Sequence, residues 1–347
     1  MTPKERWIAV LTRNKPDRIP MDYWATRETT AMLLKHLGCS NEWEMCRKLH
    51  VDMAVKVNPK YIGPLFPKDQ DIFGCRFRQV NYGSGIYREC IFHPIALYDS
   101  VEDVKRNYRW PNPRWWDYRS IRSQIEKKDD FPILAGHYEP FLIYKDLRGQ
   151  EKAFIDLVEK PELVHFCLDK IFDLGFTEIQ RMYEQIPGKV MLTYVAEDMG
   201  GQEDLMLSPT HIREFLLPKM KRVIDFIHNQ GAFAFHHNDG SIRRIIPDMV
   251  AAGIDILNPI QWRSKNMDRE GIKQDFGNDV ILHGAMDNQH TLPFGSVEDV
   301  KSEVKENLRI LGTNGGYILA PCHNIQPITP VENILAMYET GYEYGWA

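Results

Sequence analysis

The chain has 347 residues, of which 43% are hydrophobic and 26% charged, with a formal net charge of −5. That composition is ordinary for a globular protein, and the length suits one large core, since α/β barrels run to about 250 residues or more as one unit. No run of about 18 apolar residues offers a membrane span, the acidic balance gives no electrostatic case for nucleic acid, and the opening Met1-Thr2-Pro3-Lys4-Glu5 has no apolar signal core, which predicts a cytoplasmic protein.

Thr2-Pro3-Lys4-Glu5 carries the marks of a helix start, with Thr as cap, Pro at the first position and Glu three residues after the cap. A helix over 6–12 follows and Pro16 stops it. Residues 19–24 read as a first strand, 29–37 as a helix ended by Gly38, 42–49 as another helix, and 51–57 as a second strand ending at Asn58-Pro59. Residues 60–130 break this rhythm with Pro, Gly and aromatics. Within them 75–82 and 86–92 flank Gly83-Ser84-Gly85, the pattern of a β-hairpin. A long insertion after a barrel strand lies at the catalytic face, as a wall or lid of the pocket; the plainer reading is a surface decoration or a subunit contact.

The alternation then resumes. Strands are expected at 132–136, 190–196, 232–235, 254–257, 280–282 and 316–320, with helices over 154–159, 161–184, 210–229, 242–252, 267–276 and 296–311. Ser296-x-x-Asp299 opens one of these helices, and Thr329-Pro330-Val331-Glu332 repeats the N-terminal cap pattern before the last. Counted from Ile19, the strands number eight. Short apolar runs that end abruptly in chemically capable side chains are expected of buried parallel strands gathered in a (β/α)8 TIM barrel, here a single domain over 1–347 with N-terminal helices and the long insertion after the second strand.

The strand ends supply the candidate site. After the fourth come Glu197 and Asp198, able to act as acid, base or ligand, then Gly200-Gly201, which would let backbone approach a ligand, and Gln202. The plainer alternative is a tight turn whose carboxylates cap the next helix. After the fifth come His236, His237, Asn238 and Asp239. Imidazole is the commonest metal-binding side chain, and residues two apart in a strand share a face, so His237 and Asp239 can meet at one centre. Both phases of that strand are apolar, so the pattern does not say which imidazole faces the axis. Asn258 and Gln261 follow the sixth strand, His283 and Asp287 the seventh, and Cys322 and His323 the eighth. Together with Asn58, His137, Gln202 and His236, these polar residues are the substrate-binding candidates; Asp239, Glu197 and Asp198 are the catalytic ones. A Cys322 thiolate would complete a His237/Asp239/Cys322 set for Zn²⁺ with an open fourth position. The competing reading is a packed thiol, because reduced cysteines are among the most buried residues. The six cysteines are scattered without paired metal spacing and are expected to be free.

The chain resembles the uroporphyrinogen decarboxylase superfamily. The likeness is clearest in Arg18-Ile19-Pro20, in the segment from Glu197 to Gln202, in His237-Asn238-Asp239-Gly240-Ser241-Ile242, in the segment from Gly253 to Gln261, in Gly284-Ala285-Met286-Asp287, and from Gly315 to Ile334. It implies a TIM barrel and one of two activities. True porphyrinogen decarboxylases use no metal and carry an early Arg-Gln-Ala-Gly-Arg-Tyr type of segment. The matching region here, 21–28, has only Arg27. A substrate with several carboxylates calls for clustered guanidinium groups, so this departure argues against that role. The corrinoid-linked methyltransferase branch moves methyl between a methylated corrinoid on a partner protein and a thiol or tetrahydrofolate-like acceptor. Its zinc site is a His-x-Cys after the fifth strand and a Cys near the eighth. Here Asp239 stands in place of the first Cys, and Cys322 matches the second. The favoured expectation is therefore zinc-assisted methyl transfer with a corrinoid-binding protein as partner, in a possible homodimer. A metal-free decarboxylase is the alternative, and a non-catalytic barrel binding a tetrapyrrole-like ligand is the third reading.

Overall fold

The computed structural model describes residues 1–81, 83, 86–136 and 138–346. Seven parallel strands form the central sheet in chain order: Val55–Lys56, Ile133–Ala135, Leu192–Ala196, Phe233–His237, Ile256–Asn258, Ile281–Met286 and Tyr317–Pro321. At least one helix separates each strand from the next, as a parallel connection requires. The segment around Met21 runs parallel to the last strand through bridges Met21–Leu319 and Ala25–Ile325. On its other side the Met21 carbonyl accepts the Asp52 amide at 2.7 Å, just ahead of the first strand. The apolar runs read as strands fall on these seven strands and this joining segment. Several are shorter than expected; of the 51–57 run only Val55–Lys56 has ladder partners.

Successive residues on these strands enter different apolar layers. Leu134, Leu192, Phe235, Ile256, Ile281 and Ile318 pack with Trp7, Val10 and Leu11. Their chain neighbours Ala135, Ala234, Leu257, Leu282 and Leu319 belong instead to the larger core shared with the surrounding helices. This is the two-residue period of a strand with both faces covered, and it explains why the runs read as continuously apolar.

The helix Pro3–Leu11 carries Trp7 into the inner layer. Thr2 caps it and Glu5 completes the box. Its companion is a buried clasp on Asp52. That carboxylate accepts from Arg18 at 2.8 and 3.1 Å, from the Met21 amide at 3.0 Å, and from Arg6 in a close contact. The Asp52 carbonyl takes the Trp7 indole N–H at 2.8 Å. One aspartate thus ties the first helix, the joining segment and the start of the sheet together.

Local signals held in most places. Gly38 takes a left-handed φ of 61° after Arg27–Leu37, and Ser296 with Asp299 forms a capping box on Val297–Leu311. The last helix, Val331–Tyr344, differs: Pro330 stands at its cap and makes no side-chain bond to the helix, while Thr329 is buried. The stretch expected as one helix over 210–229 contains a wider π turn at Ile212–Leu216. In the insertion, Arg76–Asn81 and Ile86–Phe92 pair antiparallel; residues 82, 84 and 85 of the expected hairpin lie outside the described residues. All six cysteines are free. No helix among the described residues is long and apolar enough to cross a membrane.

Asp52→Ala leaves the buried Arg18 guanidinium without its carboxylate and Arg6 with Asp17 alone, and breaking a buried pair from one side costs about 3–5 kcal/mol. Urea denaturation should show a loss of that size, against less than about 1 kcal/mol for Asp248→Ala, whose partner Arg213 is largely exposed.

Candidate active site

The strand Phe233–His237 decides the site by alternation. His236 and His237 are neighbours in sequence, but they meet opposite environments. His236 is fully buried, and its Nδ1 lies 2.7 Å from the Val195 carbonyl. Burial lowers its pKa to about 4, with the bond to Val195 opposing that shift. Its Nδ1 is thus spent on the backbone of the neighbouring strand, on the opposite face from His237. His237 continues the inner phase of Phe233 and Phe235. Its ring lies nearly parallel to Trp24 at 5.6 Å and to Tyr194 at 5.9 Å.

Three ligand-capable groups converge on the Nε2 side of His237. Asp198 Oδ1 is 3.7 Å away and Asp239 Oδ2 is 3.8 Å away. His323 Nε2 lies 3.9 Å from the same Asp239 oxygen. The donor atoms of His237, Asp239 and His323 all fall within 4.8 Å of one another. Cys322 is absent from this group. Its Sγ lies 3.4 Å from the Ile260 carbonyl, and burial holds the thiol well above its ordinary pKa, with the charges of Glu303, Asp287 and Asp239 adding to the effect. The geometry therefore gives His323, expected only to line the pocket, the position assigned to Cys322 from sequence.

Behind His237 runs a buried polar chain. Its Nδ1 lies 2.6 Å from Asn258 Oδ1; Asn258 Nδ2 lies 2.7 Å from His283 Nδ1; and His283 Nε2 lies 3.1 Å from Asp22 Oδ2. Asp22 also accepts from the Trp24 indole at 2.8 Å and the Tyr23 amide at 2.9 Å. Burial would raise the Asp22 carboxyl, but the His283 bond and the charges of His283 and Lys56 outweigh it and hold the pKa below its ordinary value.

The cleft beside the cluster has a volume of about 270 Å³ and is lined by Trp24, Lys56, Asn58, Glu139, Tyr194 and Asn324 among others. Lys56 Nζ sits 4.9 Å over the Trp24 ring. Glu139 accepts from the Tyr194 hydroxyl at 3.2 Å. Burial raises the Glu139 carboxyl, and the Asp198 charge pushes it the same way. Asp239 is likewise raised, burial outweighing the pull of His237 and His323. These two carboxyls hold a proton more readily than free ones do.

The other expected residues make the following contacts. Both Glu197 oxygens accept the Phe141 amide, at 2.8 and 3.1 Å, at the start of the helix Pro140–Arg148, which precedes its strand, whereas the next helix, expected to be capped by these carboxylates, is capped by Ser208. Asp287 organises its own turn by accepting from the amides of Gln289, His290 and Thr291. Gln261 Oε1 accepts the Gly240 amide at 2.9 Å, and Gln202 Oε1 lies 3.4 Å from Ser264 Oγ. Asn58 reaches the cleft, and His137 lies outside the described residues. Gly200 makes room for protein, not ligand: a Cβ there would sit 2.4 Å from the Asp239 carbonyl, and one on Gly240, at φ +86°, would sit 2.5 Å from that of Gly201.

Sequence reasoning missed Asp22, Trp24, Glu139 and Tyr194. Asp22 offered the one readable signal, a lone acid at the inner phase of an apolar strand.

A parallel α/β sheet with histidines and carboxylates collected at its strand ends is an arrangement that enzymes use. The comparisons agree with that class: the uroporphyrinogen decarboxylase (URO-D) family model matches residues 116–344, well over half of the chain, and the protein belongs to this family. A methylcobamide:CoM methyltransferase, MtaA, from Methanosarcina barkeri is 26% identical over 215 residues, covering 62% of this chain and 59% of that protein. The chain thus matches about three fifths of that relative's length. A uroporphyrinogen decarboxylase from Pseudoalteromonas translucida is 26% identical over 370 aligned positions, covering 98% of both chains. A solved methyltransferase from Methanosarcina mazei superposes with a TM-score of 0.69 at 21% identity over 99% of both chains, which speaks for the fold.

His236 yields a pH prediction. Its folded pKa of about 4 lies below the ordinary 6.5, so the unfolded state binds the extra proton between these values. The stabilisation from neutral His236 is complete above pH 6.5, erodes as pH falls through the window, and is gone below about 4, for a limiting loss of about 3 kcal/mol. Denaturation midpoints measured from pH 7 to 4 should fall more steeply for the wild type than for His236→Asn.

Proposed function

We propose that the chain is a methyltransferase of the URO-D family, working at a zinc site formed by His237, Asp239 and His323 in the mouth of a complete (β/α)8 barrel. The convergence of these three side chains is the observation that carries the reading. The Met21 segment, bonded to the last strand and to Asp52 just ahead of the first, is the eighth stave of that barrel, and the whole of 1–347 is one domain.

The donor set suits the metal. Zn²⁺ takes imidazole and carboxylate readily, and a site with three protein ligands leaves a position open for chemistry. Asp198, 3.7 Å from His237 Nε2, is available as a further ligand or as the base. Bound there, Zn²⁺ would lower the pKa of an acceptor thiol so that the thiolate forms near neutral pH. The chain's own residues do the rest. Trp24 and Tyr194 wall the site with aromatic surface that limits water, Lys56 offers a positive charge to an anionic acceptor, and Asp198 or Glu139 takes up the displaced proton. The methyl donor is a methylated corrinoid on a partner protein that docks over the mouth, beside the 60–130 insertion, and the acceptor is a thiol or a tetrahydrofolate-like compound. Without a cysteine ligand the site is harder than a His/Cys/Cys one and leaves less electron density on a bound sulfur, which favours the less demanding acceptors.

One observation favours a second reading. Glu139 and Asp239 both have raised pKa values beside the cleft. A carboxyl that keeps its proton is what a metal-free decarboxylase needs to protonate a carbanion-like carbon.

The readings separate on metal. Zinc should bind the purified protein at one equivalent, and His237→Ala and His323→Ala should each weaken it at least tenfold by chelator competition. Cys322→Ala should leave affinity within about threefold, because its thiol faces Ile260. Methyl transfer should cease when chelated zinc is removed; turnover at full rate without metal would refute the proposal and favour the decarboxylase.

A further inference from the structure

Asp22 lies far from the zinc cluster in the bonding order, yet with both imidazoles neutral the chain that joins them has only one consistent arrangement of protons. An ionised carboxylate can only accept, and Asp22 is already an acceptor for Trp24 and Tyr23 through both of its oxygens. His283 Nε2 must therefore carry the hydrogen that points at Asp22. A neutral His283 then offers a lone pair at Nδ1, which faces the Asn258 amide at 2.7 Å. That contact requires Asn258 to donate through Nδ2, and its Oδ1 is left to accept from His237 Nδ1 at 2.6 Å. His237 carries its hydrogen on Nδ1, and Nε2 remains a lone pair directed at Asp198 and Asp239. If the first step were reversed, every later one would reverse with it, and an N–H would point into the cluster, where no metal could be held.

We propose that Asp22 is a positioning residue that fixes the tautomer of His237 through His283 and Asn258, presenting Nε2 as a lone pair to the cleft. The consequence for metal rests on the zinc reading; the tautomer does not. Burial makes the order strict. His237, Asn258 and His283 are each 3% exposed or less, and water has little access to substitute for a missing partner. Outer partners of ligating histidines commonly act in this way, and their loss lowers metal affinity about 10–100-fold. What is particular here is a four-residue relay whose direction is set at its far end.

The substitution Asp22→Asn tests it. An amide accepts at one atom only, so it cannot serve Tyr23, Trp24 and His283 together, and the reversed order becomes accessible. In metal-free protein, ¹⁵N-resolved NMR of the imidazoles should show His237 wholly as the Nδ1–H form in the wild type. In Asp22→Asn a substantial Nε2–H population should appear, with zinc affinity reduced about tenfold or more. Asn258→Asp is the second variant. A carboxylate there accepts from both rings, so His283 should gain a hydrogen at Nδ1 while His237 stays in its wild-type form. A wild-type His237 found as Nε2–H would overturn the inference, as would a spectrum unchanged in Asp22→Asn. Failure of the wild type to bind zinc, with the tautomers as described, would sink the zinc reading and leave the relay intact.

Discussion

A strand sends alternate side chains to opposite faces, and in a sheet buried on both sides that rule sorts chemistry as strictly as it sorts hydrophobic surface. His236 and His237 show its force. One residue's difference in phase places the first imidazole against the Val195 carbonyl in the outer layer and the second among Trp24, Tyr194 and two carboxylates. The same rule puts Asp22, Asn258 and His283 on the inner face of three different strands or segments, where they bond to one another. The site is thus a by-product of register. A slip of one residue on the 233–237 strand would exchange the two histidines and leave the Asn258 amide without its partner.

That dependence places the burden of stability on the frame. The inner layer above which the site sits is packed by Trp7, Leu134, Leu192, Phe235, Ile256, Ile281 and Ile318. Polar residues begin only one turn of the alternation further along, at His237, Asn258 and His283. Asp52 holds the other end, where Arg6 and Arg18 meet it. The molecule therefore has a sealed base and a reactive rim, with apolar packing between them that keeps the two sets of charges apart.

Much of this organisation was legible. Apolar runs bounded by glycine, proline and capping residues located the sheet, and the abrupt change from Phe235 to His237-Asn238-Asp239 marked the rim. The grouping of His323 with His237 and Asp239 was not legible because Cys322 and His323 are adjacent and follow a proline, where strand phase no longer predicts direction; only coordinates show that the thiol turns to Ile260. The contact of Glu197 was hidden for a different reason. Its helix-capping partner, Phe141, lies 56 residues away, and nothing in the local sequence announces that bond. Trp24 and Tyr194 were hidden by their chemistry, since an aromatic residue in an apolar run reads as core whether or not it borders a cleft.

The contact of Gly200 with Gly240 has a bearing on how such a site can change. The two loops that carry Asp198 and Asp239 meet backbone to backbone, with no space for even a methyl group between them, and the Asp239 amide donates to Asp198 at 3.2 Å. Their spacing is welded by the main chain. New chemistry at this mouth can arise by exchanging one side chain for another, while insertions or bulkier residues at Gly200 or Gly240 are closed off as routes of divergence.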